Sequence, residues 1–369
     1  MPAIERVEIS MVDLPPKTVR TDAIQSFVSQ ETPIVRVLDA EGGVGTGYAY
    51  TIGTGGSSVV RLLHDHLAPM LVGRDGDMVE DVWRTLLFST HATAPGAVTS
   101  LALAAIDTAL WDLRCRRAEL PLYVMAGGAQ EAVPVYTTEG GWLQLSTEEL
   151  VEQATEAKER GFKGVKIKIG KPTAAEDTAR VAAVRAALGD RIELMVDANQ
   201  GLAFDQALRR TALLEPFDLA WLEEPLPVDD VAGHARLAAA TRLPIAVGES
   251  IYSLGQLKDY LVQGAASVVQ VDAARIGGIT PWLKAAHLAE AFGLPVAPHF
   301  LMELHVSLAA AVPNGRWVEH IPQLDEVALS GVAIHEGMAL PPEEPGLGIE
   351  WNWDAIESRR VEGTTLVVD

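Results

Sequence analysis

An apolar run that ends abruptly in a carboxylate recurs three times in this chain at one fixed interval. Leu194-Met195-Val196 runs into Asp197, Trp221-Leu222 into Glu223, and Ile245-Ala246-Val247-Gly248 into Glu249. The three acids are spaced 26 residues apart in both steps. That interval holds one helix and one strand, so each step reads as a βα unit. A carboxylate at the end of a buried strand is costly to desolvate unless something pairs with it. Three of them on successive strand ends form the donor set of a hard divalent cation. Mg²⁺ takes carboxylate oxygens and keeps positions open for substrate or water. Separately solvated loop acids have no reason to repeat the pattern in step.

The same grammar extends on both sides. Strands are expected at Val133 to Thr137, Gly164 to Ile169 and Ser267 to Val271, the last ending at Asp272. Two more are expected at Leu294 to Pro298, ending at His299, and Arg316 to Val318, ending at Glu319. Ser146 and Glu149 form a capping box that opens a helix between the first two. Eight strand–helix steps, most with a polar residue at the strand's C-terminal end, predict an α/β fold with a TIM-type (β/α)7-8 barrel. Its site faces that end. A doubly wound open sheet is the main alternative, but no Gly-rich nucleotide turn is present, which also argues against an NAD-dependent oxidoreductase.

Residues before the barrel differ in kind. Ile4 to Ile9, Ile34 to Leu38 and Val44 to Tyr48 read as antiparallel strands, the last two as a hairpin across Asp39-Ala40-Glu41-Gly42-Gly43. Helices follow from Ser58, Met78 and Thr99, the last running to Arg117 with Asp107 and Asp112 inside it as structural acids. The predicted organisation is an α+β capping domain over 1–128, a barrel over 129–328, and a tail over 329–369 that packs back on the cap. Lys17 to Thr32 and Tyr48 to Ser58 are long enough to serve as flaps over the barrel mouth.

Composition narrows the function. A net charge of −21 argues against nucleic acid, which demands Lys/Arg faces, and against anionic membrane surfaces. The single cysteine, Cys115, excludes an internal disulfide. No apolar run is long enough to span a bilayer. The N-terminus reads as a strand rather than a signal peptide, so the expected location is cytoplasmic.

Two further constellations carry chemistry. Lys166 and Lys168 are two apart on a strand and share a face. Side by side they are expected to lower each other's pKa, which suits a base near neutral pH. Asp272 and His299 lie on neighbouring strands, and the acid would fix the imidazole tautomer. Glu319, if protonated, would donate to a developing oxyanion. Glu303 and His305 begin the next helix as rim residues. A divalent cation between two opposed bases implies abstraction of the α-proton of a carboxylate substrate to an enediolate. Elimination of a β-hydroxyl then gives dehydration. Reprotonation gives racemisation or epimerisation.

The run of KIK, DANQ, WLEEP, GES, the Asp272 strand and the His299 strand, with the SLALAAIDTALWDLRCRR helix before and PGLGIEW after, resembles the enolase superfamily and its mandelate racemase subgroup. The resemblance covers nearly the whole chain, and APHFLMELHVSL and VDAARIGGITPWLKAA look closest to acid-sugar dehydratases such as the talarate/galactarate dehydratases. It implies Mg²⁺ on Asp197, Glu223 and Glu249, Lys168 as one base with Lys166 beside it, and His299 with Asp272 as the other. It implies Glu319 and Asn199 on the substrate and Glu224 behind the metal acids. It further implies a small carboxylate substrate, an acid-sugar dehydratase with racemase, epimerase or cycloisomerase as the alternative, and a homo-oligomer. Muconate-type lactonisation fits less well, because that subgroup has a strand-six lysine and this strand ends in Asp272.

Overall fold

A computed structural model describes residues 2–369. The first part is an antiparallel sheet in the order β15-β1-β4-β5. Its strands are β1 (Ile4–Asp13), β4 (Glu31–Asp39), β5 (Val44–Tyr48) and the returning tail strand β15 (Leu366–Val368); β2 (Arg20–Thr21) and β3 (Ser26–Phe27) form a small hairpin between β1 and β4. The helix Ala97–Arg117 packs on this sheet. The glycines of β5 allow the contact: a Cβ on Gly45 would lie 2.1 Å from the Ala109 carbonyl oxygen, and one on Gly47 2.3 Å from that of Ala105.

The second part is a closed parallel barrel. Its strands are β6 (Val133–Thr137), β7 (Gly164–Lys168), β8 (Glu193–Asp197), β9 (Trp221–Glu223), β10 (Ile245–Val247), β11 (Val268–Val269) and β12 (Val318–His320). Each of β6 to β10 pairs with the next, and β12 pairs β6. The predicted seventh strand is reduced to a single ladder residue, Val296, bridged to Val269 on one side and Gly315 on the other. Pro295 and Pro298 flank it, and proline has no N–H for a longer ladder. That bridge still closes the ring. The Ser267 to Val271 strand is likewise shorter than predicted, and Asp272 serves instead as N-cap of the helix Ala273–Ile276. Inside the barrel, Tyr136, Met195, Trp221, Ala246, Val268 and Ala297 pack together. The antiparallel hairpin β13 (Ala333–His335) and β14 (Met338–Leu340) extends β6 at its N-terminal end.

Two buried acids tie the parts together, as their reading as structural residues requires. Asp112 accepts from the Thr46 amide at 2.8 Å and the Leu347 amide at 2.9 Å, joining helix, cap sheet and tail. Asp107 accepts from the Thr280 amide of the barrel at 2.8 Å. Cys115 is buried, and burial pushes its thiol up to about 12. Among the described residues no helix is long and apolar enough to cross a membrane.

Burial pushes the Asp107 carboxyl up to about 7, against the pull of its Thr280 bonds. A folded-state pKa above the unfolded one gives stability that is complete below about pH 4 and lost as pH rises through 7. Asp107→Asn removes that loss. Melting temperatures at pH 5 and pH 8 are expected to shift in favour of the variant at the higher pH. A difference between the two proteins that does not change with pH would show that Asp107 titrates normally.

Candidate active site

The barrel register sets the site. Lys168 pairs with Asp197 across β7 and β8, and Asp197 with Glu223 across β8 and β9, so these three lie in one row at the strand ends. Glu249 reaches the row from beyond β10. Gly248 makes that reach possible, since a Cβ there would sit 2.4 Å from the Gln270 backbone. One carboxylate oxygen each from Asp197, Glu223 and Glu249 lies within 4.8 Å of the others, all three residues buried.

Lys166 is 1% exposed. Its ammonium lies 2.8 Å from Glu223 and 2.9 Å from Glu319. Lys168 pairs with Asp197 and sits over the Trp142 ring, 5.5 Å from the centroid. The two lysines are not lowered overall, as their pairing alone would have them. Burial pulls both down, and Lys166 does lower Lys168. For Lys166 the charges of Glu223 and Glu319 outweigh burial, for Lys168 that of Asp197, so both stand above the ordinary lysine value. Glu319 is also corrected. Burial would raise it, but Lys166 and His299 and the bonds from Thr138 and the Phe300 amide hold it far below the carboxylate range. It is an ionised acceptor, not a protonated donor.

Glu223 is gripped further by Trp221 Nε1 at 3.0 Å and Gln270 Nε2 at 2.8 Å. Asp197 accepts from the Asn199 amide at 2.8 Å. Asn199, Gln200 and Glu224 all have left-handed φ, at 41°, 63° and 35°. Strain of this kind in non-glycine residues gathers at functional sites. The Asn199 Oδ1 and Glu224 Oε1 atoms are buried and unpartnered, and both residues line the cavity.

On the opposite wall His299 Nδ1 lies 3.0 Å from Asp272 Oδ2. Tyr50, from the loop after β5, donates to that same oxygen at 2.7 Å. The other oxygen accepts from the Ala274 and Arg275 amides. Phe300 stacks on His299 at 5.2 Å and meets Tyr50 at 4.5 Å with the rings tilted by 35°. His299 Nε2 is thus left facing the cavity, 3.5 Å from Glu249. Glu303 and His305 are not rim residues. Both are buried: Glu303 accepts from the Gln323 and Leu324 amides, and His305 accepts from the Ala273 amide.

The β2–β3 hairpin closes the mouth. Its Asp22, Ile24, Gln25 and Phe27 line the cavity with Ile52 from the second flap. The hairpin is latched to the loop after β6, where the Leu143 amide donates to the Thr21 carbonyl at 2.8 Å and Arg20 pairs with Glu139. Its tip, Ala23, seats against Gly170 and Gly201, where added Cβ atoms would stand 2.8 and 2.9 Å from the Ala23 methyl.

Every site residue expected from the sequence therefore lies at the C-terminal end of the barrel. Lys168, Asn199, Glu224, Glu249, His299 and Glu319 face the cavity, and Lys166, Asp197, Glu223 and Asp272 stand behind them. Sequence reasoning missed Tyr50, Trp142, Gln270 and Arg275. Gln270 carried a signal, being polar at the inward position two before Asp272. Tyr50 and Trp142 are brought in by loops and Arg275 by the short helix Ala273–Ile276.

Residues 6–127 match the mandelate racemase/muconate lactonizing enzyme N-terminal domain, and residues 149–355 match the enolase C-terminal domain-like family. The chain is 36% identical to L-talarate/galactarate dehydratase of Salmonella typhimurium, over 94% of this chain and 88% of that one. It is 35% identical to 3,6-anhydro-alpha-L-galactonate cycloisomerase of Streptomyces coelicolor, over 96% and 98%. Its structure is similar to that of L-talarate dehydratase from Polaromonas sp. JS666, complexed with Mg and L-glucarate, with a TM-score of 0.92, 38% identity and 100% and 99% of the two chains covered.

Removing Lys166 strands two buried carboxylates at once. Lys166→Met is expected to cost about 3–5 kcal/mol in the metal-free protein, read as a lower urea midpoint in chelator at pH 8. A cost below about 1 kcal/mol would mean the pairings with Glu223 and Glu319 do not persist in solution.

Proposed function

Because the chain belongs to the mandelate racemase/muconate lactonizing enzyme family, we propose that it is a Mg²⁺-dependent enzyme that removes the α-proton of an acid sugar and eliminates water from the product of that step. One observation carries the reading: Lys168 and His299, each with a partner that orients it, face one cavity that Glu249 lines and behind which Asp197 and Glu223 converge on Glu249. The names of similar proteins, dehydratases of talarate, galactarate and arabinonate, support the same chemistry.

Asp197, Glu223 and Glu249 fit a divalent cation. They are buried oxygen donors of like charge, and Glu249 Oε2 is buried without a hydrogen-bond partner. A divalent cation held there would supply the charge to draw in a substrate carboxylate and to loosen the hold of Asp197 on the Lys168 proton. Lys168 Nζ, once its own proton has passed to solvent, takes the α-proton. Lys166 neutralises Glu223 and Glu319 and keeps both in place. His299 Nε2 gives a proton to the departing β-hydroxyl, its other nitrogen held by Asp272. Glu319, being ionised, accepts from a substrate hydroxyl, while Asn199 Oδ1 offers an acceptor on the same wall and Glu224 backs the metal acids. Asp22, Gln25, Gln200 and Ser250 add polar groups suited to a polyhydroxylated chain. The similarity to a cycloisomerase over nearly its whole length favours one second reading, intramolecular rearrangement of a related sugar acid by the same pair of bases. We place the protein in the cytoplasm, where a lone buried cysteine suits a reducing compartment. We also place it in a homo-oligomer, for which exposed Phe88 and Val124 supply apolar surface.

Proton NMR in D₂O with Mg²⁺ and a panel of aldonates and aldarates, galactarate and L-talarate included, tests the reaction. The expected result is loss of the α-proton signal together with a 2-keto-3-deoxy product. Exchange without a 2-keto-3-deoxy product would favour epimerisation or cycloisomerisation, and no exchange with any sugar acid would overturn the acid-sugar assignment. Lys168→Ala and His299→Asn are each expected to lower turnover by at least about 10²-fold, with one still exchanging the α-proton. Full turnover in both would sink the two-base scheme. Saturating Mg²⁺ is expected to raise the wild-type melting temperature, by about 2.7 kcal/mol of stabilisation at a hundred times Kd, and Glu223→Gln is expected to lose most of that rise.

A further inference from the structure

The three metal acids are not equally held. Glu223 is gripped by Lys166, Trp221 and Gln270, and Asp197 by both lysines and the Asn199 amide. Glu249 stands two residues past the end of β10, after a glycine, and among the described residues its carboxylate has one hydrogen bond, with His299 Nε2 in charge contact on its other side at 3.5 Å. That bond comes from Arg275, whose Nη1 lies 3.3 Å from Glu249 Oε1 and 3.2 Å from the Glu249 carbonyl oxygen. One guanidinium nitrogen therefore holds both the backbone and the side chain of the residue. Arg275 is itself fixed. Its amide donates to Asp272, which caps the short helix that carries it, and its guanidinium lies over the Tyr50 ring, 5.6 Å from the centroid. Its side chain is only 15% exposed.

We propose that Arg275 is a positioning residue for Glu249, and that it sets the affinity of the site for Mg²⁺ by fixing which way this carboxylate faces. The inference rests on the metal reading above. Asp272, Arg275 and Tyr50 then form one bracket, which holds the imidazole with one arm and the loosest metal acid with the other. Groups that orient a metal ligand in this way set affinity by tenfold or more.

Charge and position make opposite demands here, so the sign of one measurement decides. A cation 3.3 Å from a metal ligand repels the metal. If Arg275 acted only as a counter-charge, its removal would tighten Mg²⁺ binding. If it positions Glu249, removal weakens binding despite the lost repulsion. Calorimetric titration of Mg²⁺ into chelator-stripped wild type, Arg275→Gln and Arg275→Lys reads this without substrate. Arg275→Gln is expected to bind about tenfold more weakly or worse. Arg275→Lys should fall between it and wild type, because a single ammonium replaces the fork. Equal or tighter binding by Arg275→Gln overturns the inference and leaves the metal reading intact. Absence of Mg²⁺ binding by wild type overturns both. Should Arg275→Gln fail to fold, Arg275→Lys decides, and wild-type affinity in that variant overturns the proposal.

Discussion

The site depends on keeping buried like charges together. Asp197, Glu223, Glu249 and Glu319 gather at the strand ends above a dry floor of Tyr136, Met195 and Trp221. Burial leaves their repulsion little screened, so neighbouring groups must answer it one by one. Lys166 answers Glu223 and Glu319, Lys168 answers Asp197, and His299 and Arg275 answer Glu249. Even the floor takes part, since the indole of Trp221 donates upward to Glu223. The two lysines that serve the chemistry are thus also what allows the acids to be buried.

The second half of the design comes from outside the barrel. The helix Ala97–Arg117 is buried along most of its length because it lies between the cap sheet and the barrel. Asp107 and Asp112 fasten it to both sides. With the cap seated this way, the loop after β5 delivers Tyr50 to Asp272, and the β2–β3 hairpin covers the mouth. Positioning of a histidine deep in the barrel is in this sense a property of the interface.

Much of this was legible in the sequence because it is periodic. Strand ends mark themselves by an acid after an apolar run, and the shared face of Lys166 and Lys168 follows from strand geometry alone. Asp107 and Asp112 were readable as structural acids for the same reason, charged residues inside an apolar helical face. What escaped depended on contacts between distant segments. Tyr50 and Arg275 lie on loop and short-helix positions whose partners cannot be inferred from spacing. The lysine pKa reading failed because it counted the neighbouring cation and not the acids that fold around it. The protonated Glu319 failed for the mirror-image reason. Strand seven has the apolar pattern of a full strand, but its own prolines limit it to one ladder residue.

Tyr50 has a consequence for how such a protein can be rearranged. Its hydroxyl crosses from one folding unit to complete the hydrogen bonding of an acid in another. A barrel grafted beneath a foreign cap would carry its metal acids and lysines unchanged, since their partners all lie within the barrel. It would lose the tyrosine that braces Asp272 and the ring that backs Arg275. The two units are therefore interchangeable for one half of the site and not for the other. Recombination between relatives must carry the Tyr50 loop along with the barrel, or the transplanted histidine loses its brace.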